Sequence, residues 1–343
     1  MSLFGEIAPA SPPPRRGEVG AAVVSDEVRE LGERLPRGLY LGGSTWSFPG
    51  WAGIVYDDEY AESKLAREGL RAYGRYPLFR AAGIDRTFYR PVPAEELARY
   101  AEQVPEDFRF LVKAHEAITL PRFPDRPRYG AVRGQDNPQF LDAAYTADAV
   151  VAPFVLGLGA KAGALLFQFG PQDLGGPRFA ARLHAFLSAL PRGPVYAVEI
   201  RQRELLTPAY AEALAATGAC HCLNVYPRMP DVRTQARLTN AERGRILVLR
   251  WMLATGTYEE AGKRYAPFNR LAAPDTAARR AIAELARGAL AEGQPFLATI
   301  NNNAEGCAPL SAVELAKEIL ALPGAASPQR IAPAGETEPP SAP

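Results

Sequence analysis

Three cations and a carboxylate stand where apolar runs end. Lys113 closes FRFLVK (108–113), Glu199 and Arg201 finish VYAVEIR (195–201), and Arg250 falls near the end of RILVLRW (245–251), with Arg90 nearby. Strand side chains alternate, so Val195, Ala197, Glu199 and Arg201 share one face, apolar at first and charged at its end. A buried charge is costly unless it is paired and hydrogen-bonded, so these groups either form a structural ion pair or line a site. Three cations around one cavity suit an anionic ligand, with phosphate or carboxylate the obvious groups. Glu199 is then the proton-handling group, and nearby cations lower its pKa, which favours a base over an acid. Lys113 is a second catalytic candidate, as a Schiff-base amine. The plain alternative is a salt-bridge plug, with Glu199 on Arg201 or Lys113 and Arg250 on a backbone carbonyl.

Further polar and aromatic groups accompany them. Gln168 lies late in GALLFQF (163–169), Asn224 late in CHCLNV (220–225), and Asn301, Asn302 and Asn303 follow PFLATI (295–300). Asn301 and Asn302 can orient a substrate, or the run can form a tight turn leading to Gly306. Trp46, Phe48, Trp51 and Tyr89 follow the first two apolar runs. They suit stacking on a sugar or base, or packing of a loop against a rim.

The elements that must position these groups recur regularly. Apolar runs at 39–44, 82–88, 108–113, 163–169, 195–200, 220–225, 245–251 and 295–301 number eight. Helical spacing of Leu, Ala and aromatic residues follows most of them, at 94–104, 137–157, 177–190, 208–217, 275–292 and 311–322. Repeated strand–helix units predict an α/β fold with a parallel sheet, a single (β/α)8 TIM barrel over 37–322. A doubly wound open sheet is the alternative. Active sites of barrels lie at the C-terminal strand ends, where these polar residues collect. Residues 1–36 read as a Pro-rich tail and a short helix with Ser25 as N-cap, and 323–343 as a loose, disordered tail.

Composition narrows the function classes. The chain has 343 residues, 47% of them hydrophobic, so a large core is available; the net charge of +1 gives no argument for nucleic acid. Three cysteines do not make a secreted disulfide framework, and Cys220-His221-Cys222 lacks a zinc spacing, so buried thiols are expected. The N-terminus has no continuous apolar segment and no apolar run approaches membrane length. A cytoplasmic protein is predicted. GLGAKAG (157–163) precedes a strand and is no nucleotide fingerprint, H-E-x-x-H and G-x-S-x-G are absent, and three histidines cannot supply a metal cluster at the strand ends. No metal or cofactor is expected.

Several stretches resemble the YecE-like family, a conserved domain of unknown function: GGSTWSFPGW (42–51), TFYRP (87–91), FRFLVKA (108–114), LLFQFGP (165–171), VEIR (198–201) and INNNAEGCAPLSA (300–312). The resemblance covers about Gly42 to Leu320 and implies a barrel like that of endonuclease-IV-type proteins, without implying a reaction. It also marks departures. The family's glutamate before Thr-Phe-Tyr is replaced by Gly83 and its asparagine by Asp85. Thr45 and Phe48 differ in the first motif, Gln202 to Leu205 after VEIR, and Trp251 and Met252 after Arg250. The fold analogy does not carry metal-dependent DNA cleavage to this chain.

Together these features predict a metal-independent enzyme acting on an anionic small molecule or phosphodiester. Lys113, Arg201 and Arg250 bind the anion, Glu199 moves protons, and Asn301, Asn302 and Gln168 orient the substrate. The alternative is a non-catalytic barrel that binds a ligand or nucleic acid, with Trp46 or Tyr89 stacking.

Overall fold

A computed structural model describes residues 17–322. Both tails expected to be disordered fall largely outside that range. Eight parallel strands close in sequence order: β1 (Leu39–Gly43), β2 (Ala81–Ile84), β3 (Arg109–Lys113), β4 (Ala162–Phe169), β5 (Tyr196–Ile200), β6 (Cys220–Val225), β7 (Leu247–Trp251) and β8 (Phe296–Ile300), with β8 returning to β1. The open-sheet alternative is thereby excluded.

Period-two alternation builds two cores. Leu41, Ile84, Phe110, Val112, Phe167, Val198, Leu223, Leu249 and Ile300 face outward and are buried under the helices. Ala81, Leu111, Ala164, Leu166, Ala197, Cys220, Cys222, Val248 and Leu297 point inward and fill the barrel. The inward series ends, toward the C-terminal mouth, in Lys113, Gln168, Glu199, Asn224, Arg250 and Thr299, each at most 9% exposed. All three cysteines are buried free thiols.

Two strand seams are short in register and each is completed by a side chain. β1 and β2 pair at Gly42–Ala81 and Gly43–Ala82. Beside them the Tyr73 hydroxyl accepts from the Gly43 amide (2.6 Å) and donates to the Ala81 carbonyl (2.8 Å). A Cβ at position 42 would lie 1.7 Å from that carbonyl and 2.9 Å from the phenol oxygen, so only glycine leaves the space. β5 and β6 pair at Ala197–Cys220 and Val198–His221, and the Asn224 amide donates to the Ile200 carbonyl (3.0 Å) further along.

The helices expected at 94–104, 177–190, 208–217, 275–292 and 311–322 form at Ala94–Ala101, Arg178–Ala189, Pro208–Thr217, Thr276–Ala291 and Ala308–Ala321. Ser25 caps Asp26–Arg34 by accepting from the Val28 amide. The pattern over 137–157 becomes helical only from Ala143, because Leu141 is held at φ 55° and Asp142 caps the first turn. From there a continuous helical stretch runs to Lys161, long and apolar enough by length and composition to cross a membrane. The sequence shows no unbroken apolar run of that length there, since Thr146 and Asp148 interrupt it without lowering the mean hydropathy far. In the barrel it is an outer-layer helix, with Gly157 pressed so closely on Ala94 and Leu97 that a Cβ would clash.

Candidate functional site

The mouth is organised around Glu199. Its side chain is fully buried; Oε1 accepts from Arg201 Nε (2.7 Å) and Oε2 from Arg250 Nη1 (2.8 Å). Both guanidiniums also donate to Gln168 Oε1, Arg201 through Nη2 (2.9 Å) and Arg250 through Nη1 (3.0 Å). Neighbouring strands explain the meeting, because Gln168 and Glu199 are register partners and Arg250 lies beside Asn224 and Thr299. Arg250 then crosses the mouth to β2, where Nη2 reaches Asp85 Oδ2 (3.3 Å). Burial alone would raise the Glu199 pKa, but the two guanidiniums outweigh it and hold the carboxyl down at about 2. Burial opposes the Arg250 charge, yet Glu199 and Asp85 hold its pKa above the ordinary value. Two orphaned polar atoms flank Arg250, Asn224 Oδ1 and Thr299 Oγ1, both buried without a hydrogen-bond partner.

Arg201 differs from Arg250 in facing outward as well as inward. Its guanidinium stacks on Tyr226 (4.3 Å to the ring centre), and it borders a cavity of about 780 Å³ lined also by Arg203, Glu204, Arg228, Thr257 and Tyr258. Among the described residues no protein acceptor meets its Nη1. Tyr226, Tyr258 and Arg228 are not candidates on the sequence, where Arg203 stands out only among the departures after VEIR. Tyr226 follows β6 directly and Arg203 lies two residues beyond Arg201, so position after a strand was the available signal.

The other expected site residues divide. Lys113 faces the mouth with Nζ 3.6 Å from the Phe88 ring centre and no acceptor among the described residues. Burial, then the Arg250 charge, lowers its pKa to about 8 against the opposing pull of Asp85 and Glu199. Asn301 Oδ1 accepts from the Asn303 amide (2.9 Å) and side chain (2.8 Å), fixing a short 3-10 turn. Asn302 Oδ1 accepts from Trp51 Nε1 (3.1 Å) and from the Ala308 amide (2.9 Å), so it stitches the β1 loop to the β8 loop and caps the last helix. Trp46 is buried edge-on against Tyr100 (5.1 Å), whereas Tyr89 is 65% exposed and lies near Arg128. Arg90 pairs with Glu96 (3.7 Å) on the outer side.

At the β2 end the glycine departure has a steric counterpart. A Cβ at Gly83 would stand 2.7 Å from the Ser44 carbonyl oxygen, so the β1 loop occupies the room that a glutamate side chain would need. A second cavity of about 430 Å³ lies above, lined by Thr45, Trp46, Ser47, Asp85 and Arg86 among others. The three histidines stand apart: His115 bonds Tyr145 (2.7 Å), His184 is mid-helix, and His221 points out of the barrel to Tyr210 (2.9 Å) and Gln235 (3.2 Å). Among the described residues, no group of three His, Cys, Asp or Glu side chains is placed to hold a metal.

Comparison with known proteins agrees with this architecture. The family model described as protein of unknown function DUF72 matches residues 40–334. A DUF72 family protein from Enterococcus faecalis V583 is similar in structure, with a TM-score of 0.57 and 17% identity, over 82% of this chain and 95% of that one. A DUF72 family protein from Thermotoga maritima MSB8 gives a TM-score of 0.55 and 18% identity, over 82% of this chain and 99% of that one. At such identities the likeness speaks for the fold alone. No curated protein matches the chain. With the matched residues running from β1 past the last helix, and the YecE-like motifs in place along the strand ends, the chain belongs to the DUF72 family of unknown function.

Proposed function

We propose that this barrel binds an anionic small molecule, bearing a phosphate or a carboxylate, in the cavity over the C-terminal ends of β5 to β7. One observation carries the reading. Arg201 is oriented by Glu199, Gln168 and the Tyr226 ring, yet its Nη1 meets no acceptor among the described residues, beside a 780 Å³ cavity whose rim adds Arg203 and Arg228. A guanidinium fixed from behind and open in front suits an oxyanion, because little side-chain entropy is left to lose on binding. Tyr226 and Tyr258 supply flat walls for the remainder of the ligand.

The same geometry gives Glu199 a supporting role. A carboxylate held at about 2 by two guanidiniums is a weak base at neutral pH, so it anchors the cations. Proton transfer by Glu199 is therefore not part of this reading.

The test is thermal unfolding with inorganic phosphate, sugar phosphates, nucleotides, small carboxylates and short oligonucleotides. A ligand at a hundred times its Kd stabilises the folded state by about 2.7 kcal/mol. The expected result is a rise with a small anion that disappears in the Arg203→Ala/Arg228→Ala double variant, which leaves the Glu199 cluster intact. No rise with any anion at millimolar concentration overturns the proposal. A response confined to oligonucleotides moves the assignment to nucleic acid.

A further inference from the structure

We infer that Lys113 is a nucleophilic amine that forms an imine with an aldehyde or ketone carried by the anionic ligand of the mouth. The inference rests on the anion-binding reading above and adds a reactive group to it: Lys113 stands outside the lining of the 780 Å³ cavity, so the carbonyl must extend from Arg201 across the mouth toward β3.

The chain has five lysines, at 64, 113, 161, 263 and 317, against 34 arginines. Four of the five are engaged. Lys64 donates to the Gly17 carbonyl (2.6 Å), and Lys161 to the Ala101 and Val104 carbonyls (2.8 and 2.9 Å). Lys263 pairs with Glu259 (2.7 Å), and Lys317 with Glu27 (2.8 Å) and Glu314 (3.0 Å). Lys113 alone has no hydrogen-bond acceptor or ion-pair partner among the described residues, although it is 9% exposed. Its ammonium rests on the Phe88 ring instead. The two acids that act on it are already committed, Glu199 to Arg201 and Arg250, and Asp85 to Arg250.

Burial costs the ammonium more than it costs the free amine, and the Phe88 face offsets only part of the difference. Burial, with the Arg250 and Arg201 charges, brings its pKa to about 8. At pH 7.5 roughly a quarter of Lys113 is then neutral, on the order of two-hundredfold more than for an ordinary lysine. An arginine at the same strand end would hold an anion at least as well but could not give up its proton. The chemistry needs no further reagent. The Nζ lone pair adds to the carbonyl carbon, the carbonyl oxygen becomes the hydroxyl of a carbinolamine, and that hydroxyl leaves as water when the C=N bond forms. Hydrolysis reverses the step.

The wild-type protein tests this without a variant. Glyoxylate is a small anionic aldehyde; with cyanoborohydride any imine becomes a carboxymethyl-lysine that peptide mass spectrometry locates. The expected result is modification of Lys113 ahead of the other four lysines, with a rate that climbs through about pH 8 and is slowed by inorganic phosphate. Lys113→Arg should lose this modification, whereas Lys317→Arg, which touches only Glu27 and Glu314, should retain both the modification of Lys113 and the phosphate-induced thermal shift. Modification of Lys64, Lys263 or Lys317 before Lys113 overturns the imine while leaving the anion site standing. Modification of Lys113 that phosphate does not slow, with no thermal shift from any anion, overturns the anion site and the inference with it.

Discussion

Glu199→Gln probes the centre of the mouth. The substitution keeps the side chain's shape but removes the charge between two buried guanidiniums and puts an amide donor against one of them. A drop in pKa from the ordinary 4.5 to about 2 is worth about 3 kcal/mol, at about 1.36 kcal/mol for each tenfold change in proton affinity. An independent route, the cost of leaving one side of a buried ion pair without its partner, gives roughly 3–5 kcal/mol. The pH dependence has a fixed sign. The folded-state pKa lies below the unfolded one, so the stabilisation is whole above about pH 5 and is lost as the pH falls toward 2. Urea unfolding of wild type and variant at pH 7 and pH 3 measures it. The expected gap is about 3 kcal/mol at pH 7, with an unchanged slope in urea, narrowing to about 1 kcal/mol at pH 3 as the wild-type carboxylate becomes costlier to keep ionised. Equal midpoints at pH 7, or a gap that stays constant between the two pH values, would mean that the Glu199 charge does not hold the two guanidiniums.

Other substitutions separate packing from chemistry. Gly83→Ala should lower stability by about 1–3 kcal/mol by calorimetry, since its Cβ meets the Ser44 carbonyl, whereas Gly170→Ala, with open space around it, should change little. Asn302→Ala should cost about 1–2 kcal/mol through loss of a helix cap and of the Trp51 acceptor, while any phosphate-induced thermal shift survives; loss of that shift would give Asn302 a binding role. His221 is fully buried and burial lowers its pKa to about 4, so its ring signal in NMR should hold steady from pH 8 to 5. Because the unfolded state takes up the proton first, its share of stability should fall as the pH drops from about 6.5 to 4.

The barrel was legible because strand-period and helix-period apolar patterns alternate along the chain, and because inward polar residues appear only at strand ends. The site was legible in part. Glu199, Arg201, Gln168 and Arg250 come together because strand pairing fixes which inward positions are neighbours. Asn302 was not legible as a structural residue, since its partners, Trp51 and the Ala308 amide, are set by how two loops cross. Asp85 was visible only as a departure from a motif; that it meets Arg250 depends on a side chain long enough to span the mouth. The rim residues Tyr226, Arg228 and Tyr258 lie on loops, where no periodicity says which way a side chain points.

The two short seams, β1–β2 and β5–β6, divide the cylinder into a β2–β5 half and a β6–β1 half. Each seam has few ladder bonds and leans on one side chain, Tyr73 or Asn224, so these lines are where the cylinder should breathe first, with amide exchange at Gly43 faster than in mid-strand β4. Arg250 belongs to the β6–β1 half, and its partners Gln168, Glu199 and Asp85 all belong to the other. One guanidinium thus rivets the halves together at the rim, and whatever loosens its grip on Glu199 also loosens the joint between them.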